Sequence, residues 1–174
     1  MGLVKEVSSV KLIMGMISNN KGLFEKLEKI MERKYGRIDF KSKIVDFDFT
    51  DYYTREMGRN LFRKFISFEK LIHPGALAGI KLYTNKLEKK FADNSKRNIN
   101  IDPGYLNEGK LILASTKDNL QRFYLKKGIY AEITLYYRND NFEHFLWTYP
   151  DYRTQEYNGI FKQIRELFRK QIGR

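Results

Sequence analysis

Arg97-Asn-Ile-Asn-Ile-Asp-Pro-Gly-Tyr-Leu106 is the stretch on which the reading of this chain turns. Ile99 and Ile101 alternate with Asn98, Asn100 and Asp102, which predicts a short strand with one apolar and one polar face. Pro103-Gly104 is expected to break it. A strand that ends by presenting amides and a carboxylate beside a sharp turn makes a rim for a site. The plainer role for Asp102 is to accept backbone N–H groups within that turn.

Upstream, Pro74 suits the first turn of a helix. Leu77, Ile80, Thr84, Leu87 and Phe91 then form one stripe, with Lys81, Asn85 and Glu88 beside it. Further back, Val10 to Ile17 is apolar except for Lys11 and predicts a strand covered on both faces. Ser18-Asn-Asn20 caps a helix with Leu23, Phe24, Leu27, Ile30 and Met31 at helical spacing, ending at Gly36. Ile38 to Val45 alternates as a second strand. Phe47 to Gly58 is expected to be extended, and Leu61 to Phe68 fits a strand or a short helical piece.

Downstream, Lys110 to Thr116 reads as a strand. Arg122 to Lys126 and Ile129 to Tyr137 read as a hairpin around Lys127-Gly128. A turn at Arg138-Asn-Asp-Asn141 leads to a last strand, Phe142 to Tyr149. The closing helix carries Tyr157, Ile160, Phe161, Ile164, Leu167 and Phe168 on one stripe. Strands outnumber helices and often follow one another directly. The expectation is a single α+β domain over residues 1–174, with a mixed or antiparallel sheet and about three helices.

The chain has 174 residues, no cysteine and two histidines, His73 and His144. Disulfides, thiolate chemistry and cysteine-based zinc sites are excluded. A magnesium ion on carboxylates is the cofactor that this composition leaves open. No run of about 18 apolar residues offers a membrane span. The opening residues lack the basic-then-apolar layout of a secretory leader, so a cytoplasmic protein is expected. The formal charge of +12 favours an anionic ligand, a nucleotide or nucleic acid as partner.

In the strand Ile129 to Tyr137, Ile129, Ala131, Ile133 and Leu135 are expected to face the core. Glu132 and Thr134 then share the other face with tyrosines. Joined with Asn98, Asn100 and Asp102, that face makes a platform of carboxylates, hydroxyls and amides, against the plainer reading of an exposed polar sheet face. Two carboxylates can hold a metal or divide acid and base roles. Lys81, Arg97, Lys117, Arg122 and Arg153 are the basic candidates, and each has a surface ion pair as its alternative. Trp147-Thr-Tyr-Pro-Asp-Tyr-Arg153 holds the one tryptophan. Trp147 and Pro150 read as structural, and Asp151 or Thr154 as the cap of the last helix.

Asn85-Lys-Leu-Glu88 approaches the Asn-Lys-x-Asp pattern that holds guanine, but with Glu for Asp and inside a helix. No phosphate-binding loop accompanies it. A phosphoesterase with paired His-x-Thr/Ser motifs is excluded, because neither histidine is followed by that pattern.

Lys11-Leu-Ile-Met-Gly-Met-Ile-Ser18, Thr50-Asp-Tyr-Tyr53 with Glu56-Met-Gly58, Ile80-Lys-Leu-Tyr-Thr-Asn85, Asn100-Ile-Asp-Pro-Gly-Tyr-Leu106 and Trp147 to Arg153 together resemble a prokaryotic family, domain of unknown function 4416. The resemblance runs in order along nearly the whole chain. It implies a stand-alone cytoplasmic protein with no established activity. Members sometimes carry a GTP-binding label, which the missing phosphate loop does not support here. The matching motifs point to Thr50, Tyr53, Glu56, Lys81, Asn85, Asp102, Tyr105, Glu132, Asp151 and Arg153 without assigning roles.

The first functional expectation is a polar, basic-rimmed sheet pocket for a phosphate-bearing small molecule such as a nucleotide. Lys81, Arg97, Lys117 and Arg122 would neutralise phosphate. Asn85, Asn100, Tyr105, Thr134, Asp151 and Arg153 would complete the pocket. Asp102, Glu132 and Glu56 would hold metal or act as acid and base. The alternative is a non-catalytic RNA- or DNA-binding module, with tyrosines stacking bases and distributed lysines on phosphates.

Overall fold

The computed structural model describes residues 2–94 and 96–174. Strand β1 (Lys11–Ser18) is buried at all eight positions, as an unbroken apolar strand requires. It lies between β4 (Leu61–Phe68) and β5 (Asn100–Leu106), antiparallel to both. The other strands are β2 (Ile38–Lys41), β3 (Val45–Phe47), β6 (Lys110–Ser115), β7 (Phe123–Lys126), β8 (Ile129–Arg138) and β9 (Asn141–His144). Their order is β2-β4-β1-β5-β6-β8-β7, with β3 also on β4 and β9 also on β8. All named strand pairings are antiparallel, which settles the expected choice between a mixed and an antiparallel sheet.

Helices cover both faces. Helix α1 (Lys21–Tyr35) is capped by the Asn20 side chain and ended by Gly36 in a left-handed conformation. It packs with α3 (Leu77–Lys90) on Leu12, Met14, Met16 and Ile101. Helix α4 (Gln155–Gln171), capped by Thr154, lays Tyr157, Phe161, Ile164 and Phe168 on the other face, against Ile13, Phe65 and Leu113. A single turn, α2 (Thr54–Met57), makes a fourth helix. This is an α+β fold. Among the described residues no helix is long and apolar enough to cross a membrane.

Three local readings change and one is settled. The expected second strand is two, β2 and β3, because the Ser42 hydroxyl takes the Phe65 N–H and diverts the chain between them. Phe47 to Gly58 is not extended: Thr50 caps a 3-10 turn at Asp51–Tyr53, which runs into α2 and stops at Gly58 with positive φ. The last strand ends at His144, since the Thr148 hydroxyl accepts the Phe145 N–H and donates to the Thr134 carbonyl. Leu61 to Phe68 is a strand.

The largest change is at Pro103-Gly104, which lie inside β5 rather than ending it. The β5–β6 ladder covers only Gly104 to Leu106. Before that point the two strands part. The Ile101 N–H and carbonyl point away from β1, the former bonding Glu88 and the latter Lys81. Pro103, two residues on, faces the same way, so its missing N–H meets no ladder partner. Gly104 sits where β6 comes closest: a Cβ there would collide with the Ile112 carbonyl oxygen and the Leu113 side chain.

Gly104→Ala is therefore expected to cost about 1–3 kcal/mol by overpacking against backbone that cannot give. Gly79→Ala, on the open side of α3 with no atom near the new methyl, is expected to gain about 0.5–1 kcal/mol. Urea unfolding of the two variants checks this. Equal effects would remove the close-approach argument.

Candidate functional site

Where β5 and β6 part, the sheet opens into a cavity of about 470 Å³, within the range of small-molecule sites. Because the opening passes through the sheet, α3 reaches it from one face and the segment before α4 from the other. Lys81, Asn85 and Glu88 enter from α3. Tyr149, Asp151 and Tyr152 enter from the other side, and Phe49, Tyr52 and Tyr53 cover the top.

At the centre is Arg63, only 1% exposed. It stands on the same face of β4 as Phe65, and Gly15 on the neighbouring strand leaves it room: a Cβ there would lie 3.0 Å from its Nη2. Its guanidinium lies 3.4 Å from Asp102 Oδ2 and 3.7 Å from Asp151 Oδ2, and it donates to the Tyr152 hydroxyl at 2.5 Å. Burial works against its charge, but Tyr152, Asp151, Tyr157 and Asp102 outweigh burial and hold its pKa above the ordinary arginine value.

The two carboxylates beside Arg63 differ. Asp102 accepts from Asn100 Nδ2 at 2.8 Å and has Lys81 Nζ at 3.8 Å. Its side chain is 26% exposed and so reachable from the cavity. Asp151 is 5% exposed. Burial pushes its pKa up, Arg63 pulls it down, and nearby Asp102 adds to the rise. Burial thus favours the protonated form of Asp151, while Asp102 is the carboxyl open to a ligand. Burial likewise raises the pKa of Glu88, against the pull of Lys81 and the Ile101 N–H.

Glu132 and Arg122 form a second buried pair, at 2.8 Å. Arg122 also donates to Ser115 Oγ, the Lys117 carbonyl and the Tyr149 hydroxyl. Burial opposes its charge, and Glu132 more than restores it. Glu132 Oε1 is buried without a hydrogen-bond partner. At the mouth, Arg97 pairs with Glu56 at 2.5 Å and donates to Asn100 Oδ1 at 3.0 Å. Lys117 donates to the Tyr52 hydroxyl at 2.8 Å.

The cavity thus brings together Lys81, Asn85, Arg97, Asn100, Asp102, Lys117, Arg122, Glu132 and Asp151. Four candidates lie elsewhere. Thr134 is the extra residue of a bulge in β8, between Ile133 and Leu135, and its side chain is wholly buried. The same bulge turns Leu135 to the α4 face, away from Ile129 and Ala131, so the expected single apolar face of that strand does not exist. Tyr105 packs beyond the parting, toward α3's first turn. Arg153 spends its donors on the Thr148 and Leu146 carbonyls. Glu56 is 41% exposed and stands outside the wall, bound to Arg97. Trp147 is not in the core: it is 43% exposed, stacked on Phe145, with its N–H on the Ile133 carbonyl.

Arg63, Tyr52, Tyr149 and Tyr152 are site residues that the sequence patterns do not single out. A signal for Arg63 was present. It shares its parity along the strand with Leu61 and Phe65, so it had to point into an apolar face.

Asp102, Glu132 and Asp151 each face a protein cation. Among the described residues no group of three or more histidine or carboxylate side chains converges as a metal site.

The family model described as "Domain of unknown function (DUF4416)" matches residues 8–168. No curated protein and no solved structure matches the chain.

Arg63→Met leaves Asp151 buried beside no guanidinium, takes the same partner from Asp102, and is expected to destabilise the fold by about 3–5 kcal/mol in urea unfolding. Asp151→Asn tests the proton. A raised pKa in the folded state makes the ionised carboxyl a liability that disappears as pH falls. The stability of the wild type relative to D151N should therefore improve from pH 7 toward pH 4. A difference that stays flat or worsens would overturn the placement of that proton.

Proposed function

The chain belongs to the DUF4416 family, whose description gives no activity, and we propose that it binds a phosphate-bearing small molecule, most simply a nucleotide, in the cavity where β5 and β6 part. The observation that carries this reading is the convergence there of Arg63, Lys81, Arg97, Lys117 and Arg122 with the rings of Tyr52, Tyr53 and Tyr149. Cations in a recess bind anionic groups, and tyrosine rings offer a flat base a stacking surface.

The cations are not equivalent. Arg63 is engaged by carboxylates and a hydroxyl, with only its buried Nε unpartnered, and Arg122 by a carboxylate, hydroxyls and a carbonyl, so they set the field and the shape of the wall. Lys81 serves the β5 backbone and leans on Asp102. Asp102 is the carboxylate open to the cavity. It would accept a hydroxyl or N–H of the sugar or base, while the phosphates lie toward the mouth. Asp102 is the carboxylate within reach of the bound molecule, and Asp151 lies behind Arg63.

The nucleic-acid alternative fits less well. Helices α1 and α3 pack on one sheet face and α4 on the other, and the aromatic residues left exposed on a strand, Phe123 and Tyr124, are confined to the β7 edge.

A thermal-shift panel tests the reading: nucleoside mono-, di- and triphosphates, with and without magnesium, and one RNA oligonucleotide, each at low and high salt. A nucleotide at about 100 times its Kd adds roughly 2.7 kcal/mol, a rise of about 5–10 °C for a chain of this size. Asp102→Asn should abolish most of that rise while its own unliganded Tm stays within a few degrees of wild type. A rise with the oligonucleotide alone, erased by salt, would replace this reading with the nucleic-acid module.

A further inference from the structure

The cavity mouth has a feature that its interior lacks. Arg97 and Lys117 are cations whose shortest contacts are made to one short segment. Lys117 Nζ meets no carboxylate among the described residues and donates to the Tyr52 hydroxyl, with its ammonium 4.2 Å from that ring's centre. The Lys117 hydrogen bond pulls the Tyr52 phenol below its ordinary pKa, and Arg97 adds to the pull, so both cations bear on one oxygen. Arg97 also holds Glu56 at 2.5 Å. Its remaining partners are Asn100 and, at 4.0 Å, Glu88.

Tyr52 and Glu56 belong to the segment between Phe47 and Met57. Those two residues are buried with Ile17 and Leu61, and the Met57 carbonyl accepts from Asn19 at 2.7 Å. Between these anchors, Asp48 to Tyr52 and Arg55 to Glu56 are exposed. The segment is closed on itself by the Thr50 cap and the turn of α2. It therefore forms a strap over the cavity, pinned by apolar packing of Phe47, Tyr53 and Met57 and by Phe49 against Tyr157, with Tyr52 and Glu56 held by Lys117 and Arg97. The strap sets a phenol oxygen and a carboxylate in front of two cations. A phosphate offers the same oxygens with more charge and no tether.

We propose that Arg97 and Lys117 form the subsite for the ligand's phosphate or diphosphate group, and that Tyr52 and Glu56 compete with it for these two cations. The inference rests on the cavity being the site of a phosphate-bearing ligand, and it names the part of the cavity that takes the phosphate. It also turns Glu56 from a candidate acid or base into an internal competitor. When phosphate binds, Tyr52 and Glu56 are released while Phe47 and Met57 keep the ends of the strap in place.

Calorimetric titration with inorganic pyrophosphate and with ADP, on wild type, E56Q, Y52F, R97M and K117M, tests this. Removing the competitor should tighten binding: E56Q is expected to bind both probes about threefold or more tightly, the scale of freeing one partly exposed ion pair. K117M and R97M should each weaken both by about tenfold or more. K117M guards against misfolding, since Lys117 is exposed and its side chain meets only Tyr52. Saturating pyrophosphate should also speed tryptic cleavage after Arg55 in the strap.

E56Q binding no tighter than wild type, or K117M binding equally well, overturns the proposal. So does the absence of binding by every variant with either probe. If ADP binds, responds to Asp102→Asn and ignores E56Q, R97M and K117M, the cavity reading stands and the mouth subsite alone falls.

Discussion

A β-strand cannot leave its neighbour without finding new partners for the backbone groups it exposes. That constraint governs this molecule. β5 and β6 part at Pro103-Gly104, and the Ile101 N–H and carbonyl would be stranded inside the protein. Glu88 and Lys81, on the face of α3 turned to the sheet, take one each. Proline removes a third donor that would have needed the same service, and glycine lets the strands touch up to the point of separation. The opening is therefore built by four residue types, each answering a specific backbone requirement. The cavity is what such a parting leaves behind.

The opening also fixes the electrostatics. A gap through a covered sheet is partly dry, and charges within it need partners. Arg63 and Arg122 meet that need with Asp102, Asp151 and Glu132. Pairing of this kind shapes a wall and sets a field, but it leaves few free donors for a ligand. The available donors are at the mouth, where Lys117 and Arg97 engage an exposed pair of strap residues rather than a buried one. Depth and availability run in opposite directions here, as the cost of desolvating charge requires.

Much of this was legible in the residues. The double-sided burial of β1, the stripes of α1, α3 and α4, and the hairpin at Lys127-Gly128 follow from periodicity and turn chemistry, and they suffice for an α+β fold. Asp102, Asn100, Lys81 and Glu132 could be singled out because polar residues at those positions break or border apolar patterns. What could not be read was pairing across the chain. Pro103-Gly104 looks the same whether it turns a strand or parts two of them, since the difference lies in β6. The bulge that buries Thr134 depends on register with Leu111 and Ile112. Arg63 went unnoticed because its partners, Asp102, Asp151 and Tyr152, lie at least 39 residues away along the chain.

The charge of +12 gains a different meaning in this setting. Five cations and four carboxylates line the cavity, so nearly all of the excess lies on the outer surface. Surface charge is screened by salt, while charge in a recess is screened much less. The basic exterior can raise the rate at which any polyanion arrives, but it cannot choose among them. In the proposed reading choice comes from the cavity, where Asp102 would read a donor, the tyrosines a ring and the two mouth cations a phosphate. A protein selecting its ligand through charge alone would not need to part its sheet. This one accommodates a proline, a spatially constrained glycine and a buried arginine to do so, which is why the cavity, rather than the net charge, carries the functional argument.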